Sequence, residues 1–131
     1  MNISLELIEI EEIIPHEDTD SLAIDILLSK IKSDGYWSNP IAIDKNTRII
    51  MDGHHRVEVA RKMGIRRIPC YLLSYEDNYI SVVNWKTNDI FEVKKILETA
   101  ITGNKLPVKT TRHIITIPLY YVKIDLNILS K

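Results

Sequence analysis

The 131 residues suffice for one domain with a buried core, and 45% hydrophobic with 27% charged residues is ordinary for a globular protein. A formal net charge of -1 lacks the basic excess of a domain that reads duplex nucleic acid through its backbone, so DNA is not an expected partner. The single cysteine, Cys70, excludes an intrachain disulfide and a Cys-rich zinc site.

No repeat, low-complexity stretch or Gly/Ser-rich linker divides the chain, so residues 1–131 are expected to form one domain. No apolar run approaches the roughly 20 residues of a membrane helix. Glu6, Glu9, Glu11 and Glu12 are unlike a signal peptide, so the expected location is cytoplasmic, without a membrane partner. In chain order, Leu5, Leu7, Ile8 and Ile10 predict a first strand, followed by the loop Ile14-Pro15-His16-Glu17. Asp18, Thr19 and Asp20 offer N-caps for an amphipathic helix carrying Leu22, Ile24, Leu27, Leu28 and Ile31, closed by Gly35. Ile41-Ala42-Ile43 and Arg48 to Met51 predict two strands joined by a turn at Asp44-Lys45-Asn46.

A helix from about His54 to Met63 follows, with Val57, Ala60 and Met63 on one face and Gly64 as its stop. Arg61, Lys62, Arg66 and Arg67 lie at or just beyond its end, where cations complement the helix dipole. Arg67 to Leu73 predicts another strand, in which Cys70 reads as a buried, inert thiol. Tyr79 to Trp85 fits either a strand or a short helix. Asn88 or Asp89 caps a helix through Ile101 that ends at Gly103, and Ile114 to Leu119 predicts a last strand. Trp37 reads as core or rim, and Tyr120 and Tyr121 read as packing residues. The order of elements describes a compact α+β or α/β domain and identifies no function.

The chemistry concentrates at Asp52-Gly53-His54-His55-Arg56, where a β-branched strand meets a Gly and a helix begins. Free N–H groups and the dipole at a helix N-terminus attract phosphate oxygens. Arg56, with His54 or His55, can add charge-assisted hydrogen bonds, and Asp52 is placed to hold magnesium. An ordinary capped turn would use the same Asp and Gly. The two adjacent histidines tilt the reading toward function, since apolar packing does not explain both. A zinc site has less support, because adjacent histidines at a helix start diverge and His16 and His113 follow no ligand spacing.

Ile14-Pro15-His16-Glu17, the stretch from Gly35 to Ile43, Met51-Asp52-Gly53-His54-His55-Arg56 and the stretch from Gly64 to Cys70 resemble the domain shared by ParB-like proteins and sulfiredoxins. That resemblance implies an α+β fold, a mixed sheet with flanking helices. A His stands where sulfiredoxin has its catalytic Cys, which argues against sulfiredoxin chemistry. The Gly-Glu-Arg-Arg motif and helix-turn-helix of chromosome-partitioning ParB are absent. The Asp52 to Arg56 motif resembles instead the free L-serine kinases, as do Asn84-Trp85, Lys109-Thr110-Thr111-Arg112-His113 and Val122 to Leu126. The interval between Trp85 and Lys109 is shorter than in those kinases.

The resemblance implies phosphoryl transfer from ATP or ADP, with magnesium, to the hydroxyl of free L-serine. The product is O-phospho-L-serine, which suits cysteine biosynthesis. It implies Glu17 as the base, Asp52, Gly53, His54, His55 and Arg56 around the phosphate, and Asp52 on the metal. Trp85, Thr110, Thr111, Arg112 and His113 would bind the serine. On the residues alone, Glu17 reads as charge compensation for the helix that follows it, and Trp85 reads as core. No adenine-pocket residue is identified. A non-catalytic, ParB-like nucleotide-binding regulatory module is the competing function, and a homo-oligomer that completes its site with a neighbouring subunit stays open.

Overall fold

The computed structural model describes residues 3–131. Strand β1 (Ser4–Glu9) buries only Ile8 among its residues, as an edge strand does. A 3-10 turn, Ile10–Glu12, leads to the loop that carries His16 and Glu17. Helix α1 (Ser21–Asp34) begins where the Asp20 carboxylate accepts the Leu22 N–H at 3.1 Å. It stops at Gly35, whose φ of 78° lets its N–H return to the Ile31 carbonyl. The two-residue strand β2 (Tyr36–Trp37) was not expected from the sequence and is followed by β3 (Ile41–Asp44) and β4 (Ile50–Asp52). Helix α2 (His54–Lys62) and strand β5 (Arg67–Leu73) complete the first half.

These strands form one mixed sheet in the order β1-β5-β3-β4. β3 and β5 run parallel at its centre, linked by a crossover through α2; β1 and β4 are antiparallel edges. All of β3 and β5 from Ile68 onward are buried, the pattern of strands covered on both faces. One face carries Ile41, Ile43 and Ile68 against α1 and α2, where Val57, Val59 and Ala60 are wholly buried. The other carries Ala42, Met51, Tyr71 and Leu73 against Tyr79.

The second half departs from expectation in several places. The ambiguous stretch is a strand, β6 (Ile80–Asn84). Helix α3 (Val93–Thr102) starts later than Asn88 or Asp89. Asn88 turns with φ of 65°, and Ile90 then bridges back to Val83, so this backbone is committed to β6 rather than to a helix. Strand β7 (Thr111–Ile115) lies earlier than Ile114 to Leu119, because it pairs residue for residue with β6, Ile80 opposite Ile115 and Asn84 opposite Thr111. Pro118, which has no N–H to give a ladder, lies beyond it. The tail forms β8 (Ile124–Asp125), paired with β2, and a short helix α4 (Leu126–Leu129) that buries Leu129.

Tyr120 and Tyr121 are not packing residues: they are 70% and 77% exposed. Cys70 is wholly buried, and burial pushes its thiol up to about 12. The basic cluster is largely neutralised, by Glu58 for Arg61, Asp25 for Lys62 and Glu9 for Arg66. Among the described residues no helix is long and apolar enough to cross a membrane.

Candidate active site

The turn from β4 into α2 can be built only on glycine. Gly53 has φ of 119°, and a Cβ there would fall 2.5 Å from Cγ2 of the buried Ile41. No side chain caps α2, so its first N–H groups are left for a ligand.

The two histidines that follow point away from each other and toward the loop before α1. His54 Nε2 accepts the His16 N–H at 3.2 Å, and His55 Nε2 accepts the Asp20 N–H at 3.0 Å. A ring nitrogen that accepts carries no proton, so in this geometry each ring holds its proton on Nδ1. Burial keeps His54 well below its ordinary range, with the neighbouring His16, His113, His55 and Lys105 adding to the effect. His54 therefore offers a ligand a neutral donor rather than the charge-assisted one expected from sequence. Arg56 is likewise engaged: Nη1 donates to the carbonyls of Asn39 and Pro40 at 2.9 and 2.7 Å, and Nη2 to Asp52 at 3.2 Å.

Glu17 is 8% exposed and ties the loop before α1 to the Lys109–His113 segment. Its Oε1 accepts the Lys109 N–H at 2.6 Å, and its Oε2 accepts the Thr111 N–H at 3.2 Å and the Thr111 hydroxyl at 2.8 Å. Lys109 reaches this position with φ of 56°, a left-handed conformation. A carboxylate has about four acceptor positions; three are filled, leaving one on Oε1.

Behind Thr111 stands His16, wholly buried, with Nε2 2.9 Å from the Thr111 Oγ1. The hydroxyl's one proton goes to Glu17, so His16 is the donor of this bond. Burial brings His16 down to about 4 and keeps it neutral. The three groups form a relay, His16 to Thr111 to Glu17.

His113 sits beside this relay, its ring 5.8 Å from that of His16. Its Nε2 is 2.8 Å from the Tyr75 hydroxyl. Burial lowers His113 to about 3 and raises the Tyr75 phenol, so tyrosine donates and the imidazole proton sits on Nδ1. That Nδ1 is buried without a partner.

A cavity of about 710 Å³ joins these parts. Glu17, Asp52, Gly53, His54, His55, Arg56, Trp85, Thr111, Arg112 and His113 all line it, so separated blocks of sequence converge on one space. Thr110 does not line it; its hydroxyl donates to the Pro107 carbonyl at 2.6 Å. Trp85 is not core: it is 45% exposed, with the Arg112 guanidinium 5.1 Å from its ring centre. Sequence reasoning missed Lys109, the face of α1 that presents Leu27 and Ile31, Trp37 as a wall, and Tyr121 at the rim. The left-handed turn that aims Lys109 has no sequence signal, and the backbone around Tyr121 is held by long-range contacts, the Val122 N–H on the Ser38 carbonyl and the Tyr71 hydroxyl on Tyr120.

Asp52 is a lone carboxylate at the cradle, with Oδ2 on Arg56. Among the described residues no three His, Cys, Asp or Glu come together in a metal-holding group. Such a site fits a magnesium ion bound largely by phosphate oxygens and water, with one protein carboxylate, better than an all-protein cage.

No protein-family model matches the chain. It is 31% identical over 98 residues to an ATP-dependent L-serine kinase of Desulfurococcus mucosus, covering 72% of this chain and 38% of that protein. It is 27% identical over 82 residues to an ADP-dependent L-serine kinase of Thermococcus kodakarensis, covering 60% and 34%. The chain thus spans about two fifths of the length of the curated relatives it matches. A free serine kinase solved in complex with AMP superposes with a TM-score of 0.87 at 14% identity, over 95% of this chain and 93% of that one.

The chain has the free serine kinase fold. The α+β class, the mixed sheet and the ParB-like, serine-kinase-like resemblance expected from the motifs hold.

Proposed function

We propose that this chain phosphorylates free L-serine, taking the phosphoryl group from ATP or ADP to give O-phospho-L-serine. The observation that carries the reading is the convergence of Glu17, the uncapped start of α2 and the Thr111–His113 strand on one cavity. The α2 N–H groups would hold the transferring phosphate, with Lys109 and Arg112 supplying charge. Arg112 and the free Nδ1–H of His113 suit a serine carboxylate, and Trp85 walls its pocket. The serine hydroxyl would donate to the open position on Glu17 Oε1. Its oxygen attacks the terminal phosphorus, the bond to the leaving phosphate breaks, and the proton passes to the carboxylate. Asp52 would hold magnesium, which neutralises phosphate charge when bound.

Names of relatives support this reading, since those proteins are described as ATP- or ADP-dependent L-serine kinases. The second reading, a non-catalytic nucleotide-binding regulatory module, is favoured by the extent to which Glu17 is already hydrogen-bonded internally.

Incubation with L-serine, magnesium and ATP or ADP, followed by phosphorus NMR, separates the two. Phosphoserine is expected; nucleotide binding without any product would leave the module. Glu17→Gln should lower turnover about a hundredfold or more, the range of a lost general base. Its amide would also turn N–H toward Lys109 or Thr111, so a fall in melting temperature accompanies it. Unchanged turnover would remove Glu17 from the chemistry.

A further inference from the structure

Tyr75 lies in the turn from β5 into β6, outside the cavity that His113 lines. Ser74 shapes that turn: its carbonyl accepts the Asp77 N–H at 3.1 Å, and its hydroxyl accepts the Glu76 N–H at 3.2 Å. The Tyr75 ring packs against the buried Ile49, Val82 and Ile96. A phenylalanine would fill the same place. Packing therefore accounts for the ring and leaves the hydroxyl unexplained.

That hydroxyl is 2.8 Å from Nε2 of His113, with the two ring centres 5.6 Å apart. Strand β7 brings His113 here, opposite Val82 of β6. Two arrangements of protons are open to the pair. If the imidazole donated through Nε2, the phenol proton would need another acceptor, and among the described residues the hydroxyl has no other partner. Nδ1 would then also be left as a buried, bare lone pair. If the phenol donates, a single group, the Nδ1–H, stays unmatched. This arrangement leaves fewer buried polar groups unsatisfied and is the favoured one.

The bond made by one imidazole nitrogen decides what the other offers. A carboxylate accepts from an N–H and is repelled by a bare nitrogen.

We propose that Tyr75 is a positioning residue for the amino-acid substrate: its hydroxyl fixes the tautomer of His113 from outside the cavity, so that the ring offers the serine carboxylate an N–H and not a lone pair. This rests on the serine-kinase reading above and adds to it the group that sets how the carboxylate is recognised. Tyr75 touches neither substrate nor nucleotide and acts through His113 alone.

Tyr75→Phe keeps the ring and deletes the hydroxyl. The carbon-13 shift of His113 Cδ2 tells the two neutral tautomers apart. In the parent protein at neutral pH it should report Nδ1–H, and in the variant it should move toward Nε2–H. KM for serine should rise about tenfold or more, the size of one lost hydrogen bond to a charged group. Because that bond serves ground and transition states alike, kcat and KM for the nucleotide should stay at parent values. In a His113→Asn background no tautomer remains to be set, so Tyr75→Phe should leave KM for serine unchanged.

An Nε2–H signal in the parent would overturn the proposal without any variant. An unchanged KM for serine would overturn it as well. Equal losses with and without His113 would reduce Tyr75 to packing. A parent that forms no phosphoserine sinks the kinase reading itself, and the Cδ2 shift then tells that failure from a misassigned tautomer.

Discussion

Glu17 and Thr111 cannot be assigned separate duties, because each fixes the other. The Thr111 hydroxyl donates to Oε2 and is itself oriented by His16, so the carboxylate is presented in one rotation with a single position open. Thr111→Val removes that hydroxyl and keeps the branched shape. A hydrogen bond to a charged group contributes about 1.5–3 kcal/mol, so kcat with serine should fall at least about tenfold. KM for the nucleotide should stay where it is, and Thr111→Ser should recover most of the loss. A fall in kcat that serine does not rescue would mean that Thr111 matters as packing alone.

At the scale of elements, the decisive turn is the one between β4 and α2. Gly53→Ala would place a methyl group against Ile41 in a backbone region that L side chains avoid. Strain and overpacking each cost about 1–3 kcal/mol. The urea midpoint should drop accordingly and phosphate affinity with it; an unmoved midpoint would refute the contact. This turn was legible in the sequence, because a strand, a glycine and a helix start leave few alternatives. So were α1, with its Asp20 cap and Gly35 stop, and the apolar run of β5. The start of α3 was not. Asn88 and Asp89 have the chemistry of caps, but long-range pairing with β6 captured the backbone first. For the same reason β7 was placed too late: its limits are set by its partner strand, not by its own composition. The histidine pair lines the cavity, and it also holds the loop before α1, a task not expected from the sequence. Nothing in adjacent residues reveals that both rings reach back to amides 35 or more positions earlier.

For the whole molecule, the core of the site is built on neutral histidines. His16 is brought down to about 4 and His113 to about 3 from an ordinary 6.5, both mainly by burial, and His54 falls in the same direction. The unfolded chain takes up these protons near pH 6.5, whereas the folded chain refuses them until far lower. Stability is therefore full above pH 6.5 and declines as pH falls toward 4, by roughly 1.4 kcal/mol per pH unit for each histidine that stays neutral. Urea melts at pH 7.5 and 5.0 should show the loss, and His113→Asn should lessen it. A flat profile would mean that these rings are not withheld from water.

The bonds from the His16 and Asp20 amides to imidazole nitrogens have a further consequence. Imidazole nitrogen-15 shifts differ widely between bare, protonated and hydrogen-bonded nitrogen, and here the bare nitrogens are the ones that hold the loop. The ring resonances of His54 and His55 are therefore an intrinsic gauge of loop docking. In a nitrogen-detected spectrum of nitrogen-15-enriched protein, a molecule with the Glu17 loop in place carries acceptor-type Nε2 signals from His54 and His55 beside that of His113, and no dye or substrate has to be added.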